Sequence, residues 1–295
     1  MQTRDFIITC ADGYALSATL WLPEKDTGSI IQFHNGTGIP ATLYHNFWTH
    51  LVEQGHIVIS FDYRGMGRSL HGPLAQSEAR LTDWAYQDMT AVFEWVRENY
   101  PHHFKVLMGH SMGGQLLGMM ENARYADLLV MIAASTGYWK DMFPPFKWFT
   151  ALSWNLLVPL TNAIWGYAKA SLFGRGDDLP REVANQWKRW CKAPTYFEVG
   201  FQEELSRRYH DSLKTKLLSV RVSDDPIAND VTVEKMLTYY KWNDIERWRF
   251  TPESQGEKKL GHSGFFSRKM KKSFWEPLVT YLDQQLEVTK RPQIT

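Results

Sequence analysis

The chain has 295 residues, 44% of them hydrophobic, and its 33 Lys and Arg against 32 Asp and Glu leave a net charge of +1. This is a globular composition, neither disordered, collagen-like nor coiled-coil, and it has no basic excess to neutralise a phosphate backbone, so no nucleic-acid partner is expected. Cys10 and Cys191 are far apart and lack metal-ligand spacing, the start MQTRDFIITCADG lacks a signal-peptide pattern, and no run approaches ~18 apolar residues. Together these features predict a cytoplasmic protein with reduced thiols and no integral membrane association.

Length allows two folding units or one α/β domain with an insertion. Residues 14–22 alternate polar and apolar as a half-buried strand does, and the short apolar runs 30–33, 57–61, 106–108 and 128–133 read as buried strands. Ala85, Met89, Val92 and Val96 fall at helical spacing, and residues 115–122 follow a glycine cluster as a second helix. Strand–helix alternation of this kind predicts a mostly parallel sheet with helices on both faces. After Ala134 the rhythm stops. Residues 138–210 are rich in Trp, Phe and Pro and read as an inserted helical cap, which leaves a discontinuous core of residues 1–137 and 211–295. The rhythm resumes with a strand at 217–222, a helix at 231–240, a short strand at 248–250 and a closing helix at 274–286. The basic run 267–272 (SRKMKK) reads as a solvated helix start rather than a binding patch.

The strand FKVLM runs into Gly109-His110-Ser111-Met112-Gly113-Gly114 and then a helical segment, which puts G-x-S-x-G at a strand-to-helix turn. Gly109 and Gly113 supply the clearance that so sharp a turn needs. A serine hydroxyl is a poor nucleophile at neutral pH. It needs a histidine base held in one tautomer by a carboxylate. After Ser111 the chain offers Ser223-Asp224-Asp225-Pro226-Ile227-Ala228 behind a strand and Gly261-His262-Ser263-Gly264 before the last helix, so serine, acid and histidine occur in that order. His262 is the one histidine on a loop after the last strand. Of the two acids Asp225 is preferred, with Asp224 placed in the turn. A tetrahedral intermediate also needs oxyanion donors, for which the backbone of Met112 and of Thr37, in His34-Asn35-Gly36-Thr37-Gly38, are the candidates. The loop Asp62-Tyr63-Arg64-Gly65-Met66-Gly67-Arg68-Ser69 has neither G-x-G-x-x-G nor G-K-[ST], and no H-E-x-x-H occurs, so no nucleotide, metal or other cofactor is expected.

Taken together, FHNGTG, DYRGMGRS, GHSMGG, SDDPIA and LGHSGFF resemble, in that order, the α/β-hydrolase superfamily over the whole chain except the insertion. Within it the chain is most similar to a bacterial branch related to monoacylglycerol lipase-like and serine aminopeptidase-like hydrolases, whose cap carries a segment like Asp178-Leu179-Pro180 followed by Trp187 and Trp190-Cys191. The resemblance implies an eight-stranded sheet, a cap after the sixth strand and a triad of Ser111, His262 and Asp225. Many relatives have His-Gly before the oxyanion donor where this chain has His34-Asn35-Gly36, so the donor's identity stays open. Serine rather than aspartate at the elbow speaks against a haloalkane dehalogenase.

In the insertion, Trp148 and Trp154, with Trp139, Trp165 and several Phe, line a tunnel for an apolar acyl group, form the cap's own core or, as a weaker third reading with Lys140 and Lys147 the only early basic residues, contact a membrane interface. The expected function is hydrolysis of a small to medium carboxylic ester. Thioester or amide cleavage by the same machinery, and a non-catalytic ligand receptor on the same fold, are the alternatives.

Overall fold

The computed structural model describes residues 1–173, 176–203 and 208–290. Eight strands form one sheet: β1 (Gln2–Thr9), β2 (Ala15–Leu22), β3 (Ser29–His34), β4 (Ile57–Phe61), β5 (Phe104–His110), β6 (Leu128–Ile132), β7 (Lys216–Val222) and β8 (Ile245–Phe250). Their order across the sheet is β1-β2-β4-β3-β5-β6-β7-β8. The pairs β1·β2 and β2·β4 are antiparallel and the other five are parallel. Every residue of β3, β4, β5 and β6 is buried, as expected of strands covered on both faces.

Two expectations change. Strand β1 is not evident in the sequence because it lies at the sheet edge and buries only Ile8 fully, so its charged residues mask the pattern. The helix expected over 115–122 is one short α turn, Met112–Gln115, followed by the 3₁₀ turns Leu116–Met119 and Glu121–Tyr125. Three glycines weaken helix propagation there, and the Gly118 amide donates to the Tyr240 hydroxyl at 3.1 Å instead of continuing a ladder.

The side chains at 85, 89, 92 and 96 all face the core, on a π turn, Trp84–Met89, that runs into the helix Thr90–Asn99. The closing helix is Glu276–Lys290, entered through a π turn over Lys271–Trp275. In the basic run before it Met270 is fully buried while its charged neighbours are exposed. Among the described residues between β6 and β7 no strand joins the sheet. That stretch carries the helices Phe146–Leu152, Val158–Trp165, Arg181–Lys192 and Phe197–Glu203. No helix among the described residues is long and apolar enough to cross a membrane.

His34, His110 and His210 are fully buried, and burial pushes each imidazole down to about 3. Below the ordinary histidine value the unfolded chain takes up protons that the folded chain refuses. Stability is therefore insensitive to these groups above pH 6.5 and falls as pH drops from 6.5 towards 3. Each group contributes about 1.4 kcal/mol per pH unit, and Asp88, whose carboxyl burial pushes up to about 7, offsets one of the three as pH falls below 7. Urea melts followed by tryptophan fluorescence should show stability level between pH 7 and 8 and falling steeply below pH 6, with proton uptake on unfolding. Equal midpoints at pH 7 and pH 5 would contradict this.

Candidate active site

Three loops at the C-terminal ends of parallel strands converge, the place where α/β sheets position their ligands. Ser111 directly follows β5 with φ 52° and ψ −120°, a conformation that costs a side-chain-bearing residue about 1–3 kcal/mol. The crossing tolerates only glycine around it. A Cβ on Gly109 would strike the backbone of Gly113, one on Gly113 would strike the carbonyl of His34, and one on Gly114 would lie 2.7 Å from Ala134 Cβ. The turn is fastened by the Ser111 amide donating to Ile132 O at 2.9 Å, while Ser111 O accepts from the Gly114 and Gln115 amides.

The Ser111 hydroxyl donates to His262 Nε2 at 2.8 Å, and His262 Nδ1 donates to Asp225 Oδ2 at 2.7 Å. The other Asp225 oxygen accepts the Ile227 and Ala228 amides at 2.8 and 3.0 Å. Burial alone would push this carboxyl up. The charge and hydrogen bond of His262 and the two amides outweigh burial and hold it below the usual carboxylate range. Asp224 turns the other way: its carboxylate accepts the Leu260 and Gly261 amides at 2.9 and 3.0 Å and so anchors the loop that carries His262. The two adjacent acids divide the work, one on the imidazole and one on its backbone.

Sequence reasoning passed over a second set of contacts behind the serine. The Gly36 amide donates to the Tyr44 hydroxyl at 3.0 Å, the hydroxyl lies 2.8 Å from His110 Nδ1, and His110 Nε2 lies 3.0 Å from the carbonyl of His262. Only one assignment of protons satisfies all three. A carbonyl can only accept, so Nε2 carries the proton, and Nδ1 accepts from the tyrosine. Burial keeps His110 neutral, as this requires. The loop after β3, the serine turn and the histidine loop are thus tied through one side chain. The signal in the sequence was the position of His110 beside Ser111, but its partners lie 66 and 152 residues away.

Above Ser111 and His262 lies a cavity of about 490 Å³. The segment between β6 and β7 supplies its roof, including Met142, Phe146, Phe149, Trp154, Leu157 and Trp187. Of the expected residues, Thr37 and Trp154 lie in the wall. Trp154 is buried with its ring 5.1 Å from Trp187, and the Thr37 hydroxyl is buried without a partner among the described residues. Met112 is buried at the first position of the short helix after Ser111. Trp148 is a correction. It is exposed on the opposite side of its helix, packed on Trp139 with the Lys147 ammonium over its ring, and it does not line the cavity. The loop after β4 is committed to structure, with Arg64 bonded to buried Asp88 at 2.7 Å and to Asp12 at 2.6 Å. Among the described residues no group of three or more His, Cys, Asp or Glu is arranged to hold a metal ion.

The alpha/beta hydrolase family profile matches residues 33–269, and the chain belongs to that family. Protein phosphatase methylesterase 1 of Candida albicans is 31% identical over 111 residues, which are 38% of this chain and 29% of that protein, so the match spans under a third of that relative's length. Among solved structures, an esterase of Pyrococcus furiosus superposes with a TM-score of 0.60 at 17% identity, covering 97% of this chain and 91% of that one. A monoacylglycerol lipase of Paleococcus ferrophilus gives a TM-score of 0.60 at 14% identity, covering 92% and 99%. These likenesses establish the fold.

The division between the two acids makes a prediction that needs no substrate. In Asp224→Ala the Leu260 and Gly261 amides lose their acceptor, at a cost of about 1–3 kcal/mol, and should exchange hydrogen at least tenfold faster. The Ile227 and Ala228 amides should keep their protection. Hydrogen exchange read by NMR checks this, and equal acceleration at all four amides would mean that Asp224 acts globally rather than on the histidine loop.

Proposed function

We propose that this protein is a serine hydrolase that cleaves a carboxylic ester with a small to medium, apolar acyl group through an acyl-enzyme on Ser111. In this reading His262 takes the serine proton and returns it to the leaving alcohol, while Asp225 holds the imidazole tautomer and stabilises the imidazolium. Water then repeats the sequence on the acyl-enzyme. The backbone N–H groups of Met112 and Thr37 serve as oxyanion donors, Met112 because it follows the nucleophile at a helix start. Thr37 is favoured over its neighbour because the Gly36 amide is already taken by Tyr44. Residues 138–210 serve as a cap that covers the acyl site, and no cofactor is required.

The observation that carries the proposal is the unbroken chain of two hydrogen bonds, 2.8 and 2.7 Å, from a strained serine to a buried carboxylate. The apolar roof is what favours an apolar acyl group: its aromatic and aliphatic side chains remove methylenes from water at about 0.8 kcal/mol each. Thioester and amide substrates would meet the same nucleophile, but nothing in the roof favours them.

Ser111→Ala should lower kcat on p-nitrophenyl butyrate by about 10⁴-fold or more without changing the melting temperature by more than a few degrees. Asp225→Asn should cost far more kcat than Asp224→Asn, because only the former carboxylate meets the imidazole. Retention of a tenth of wild-type turnover in Ser111→Ala would overturn the assignment of the nucleophile.

The roof makes a separate prediction. Trp154→Ala should reduce kcat/KM on octanoyl esters by an amount equivalent to losing about two to four buried methylenes, roughly 2–3 kcal/mol, and leave acetyl esters nearly unchanged. Trp148→Ala, on the far side of the helix, should alter neither. A steady-state series of p-nitrophenyl esters by chain length reads both.

A further inference from the structure

The helical stretch over residues 146–165, made of Phe146–Leu152, a π turn at Ser153–Leu157 and Val158–Trp165, is apolar on both sides. Its inner side, with Phe149, Trp154 and Leu157, roofs the cavity. Its outer side carries Trp148, Leu152, Leu156, Leu160 and Ile164, which are 61, 48, 54, 50 and 58% exposed. A helix that is hydrophobic all round is normally buried, and a contiguous exposed stripe of this kind marks a surface that meets something apolar.

The stripe is built to stay straight. At 3.6 residues per turn, side chains four apart drift about 40° per step, which would wind five such residues round the helix. The wider π turn takes up part of that drift, and Pro159, which has no N–H to give the ladder, follows directly behind it.

The charge around the stripe selects its partner. From Met142 to Gly176 the sequence has no acidic residue, and its charged residues are Lys147, Lys169 and Arg175, the last outside the described residues. Lys147 and Lys169 lie over the rings of Trp148 and Trp165, at opposite ends of the stripe, at 5.1 and 5.2 Å. Lys140 is exposed beside Trp139, and Lys192 reaches the helix through Asn155 at 2.8 Å. Of the flanking acids, Asp141 is occupied by Lys235 and Asp178 accepts the Ser171 amide at 2.9 Å, while Asp177 is exposed just past Gly176. Aliphatic side chains along the middle, Trp at the ends and Lys at the rim form the pattern of a helix lying in a lipid interface, with ammonium groups at headgroup level. A second copy of the chain fits less well, since two stripes packed face to face would bring their lysines together with no acid in either stripe.

We propose that this outer face docks on an anionic phospholipid surface, laying the cap helix in the interface above the acyl cavity. The proposal rests on the ester-hydrolase reading for its purpose, which is to draw acyl esters from the membrane, but not for its test. Flotation with vesicles of phosphatidylcholine alone and of equimolar phosphatidylcholine and phosphatidylglycerol should show binding to the mixed vesicles, weakened by salt.

The triple variant Leu152→Glu, Leu156→Glu, Leu160→Glu should lower the bound fraction by about tenfold or more while p-nitrophenyl acetate turnover stays within about twofold. Should it fail to fold, Lys140→Glu with Lys147→Glu should likewise abolish the preference for anionic vesicles. Ser111→Ala should float like wild type and lose turnover, whereas retained turnover with intact flotation would sink the hydrolase reading and leave this one standing. Absence of wild-type flotation, or flotation unchanged in the folded variants, would overturn the proposal. So would a wild-type dimer in sedimentation velocity that the triple variant makes monomeric, since the stripe would then be a protein interface.

Discussion

A serine cannot rest at φ 52° unless its surroundings oblige it to, and the obligation here comes from backbone packed against backbone. Strand β5 and the helix after it pass so closely that Gly109 and Gly113 have no space for a methyl group, with the β3 carbonyl of His34 forming the third wall. Relaxing the serine would mean moving two central, fully buried strands. The sheet therefore holds the hydroxyl at the open end of β5, and the loops after β7 and β8 need only bring a carboxylate and an imidazole to it.

Those loops are not left to find their own positions. Asp224 fastens the histidine loop by two amides, while His110 joins its backbone carbonyl to Tyr44 and so to the loop after β3. Burial that keeps His110 neutral is what makes this link work, because an imidazolium could not accept the tyrosine proton. The same burial makes His110 one of the three histidines expected to weaken the fold in acid.

The fold was legible where the rule was local. The predominantly apolar, wholly buried runs of β3, β4 and β6, and the G-x-S-x-G turn, announce a parallel sheet with a sharp exit after β5. Strand β1 was hidden because an edge strand has only one neighbour to satisfy and little to bury. Ser111, Asp225 and His262 could be nominated from their order along the chain, but Tyr44 could not, since nothing near it in sequence speaks of His110. The aromatic insertion was the least legible part. Which way a tryptophan faces depends on helix phase: at about 100° per residue Trp148 and Trp154, six positions apart, lie about 120° apart round the helix, so Trp154 turns inward while Trp148 faces out. One helix thus carries two apolar faces with different occupants: the proposed acyl group on one and the proposed lipid surface on the other.

The claim on which the functional account turns is that Ser111 is an activated nucleophile, and covalent labelling tests it without knowledge of the natural substrate. The protein should be incubated with a fluorophosphonate and examined by intact mass spectrometry and peptide mapping. The account predicts one adduct per chain, located on Ser111, with labelling slowed by at least about 10³-fold in His262→Ala because the base is gone. No adduct on the folded protein, or an adduct on another residue such as Ser263, would contradict it.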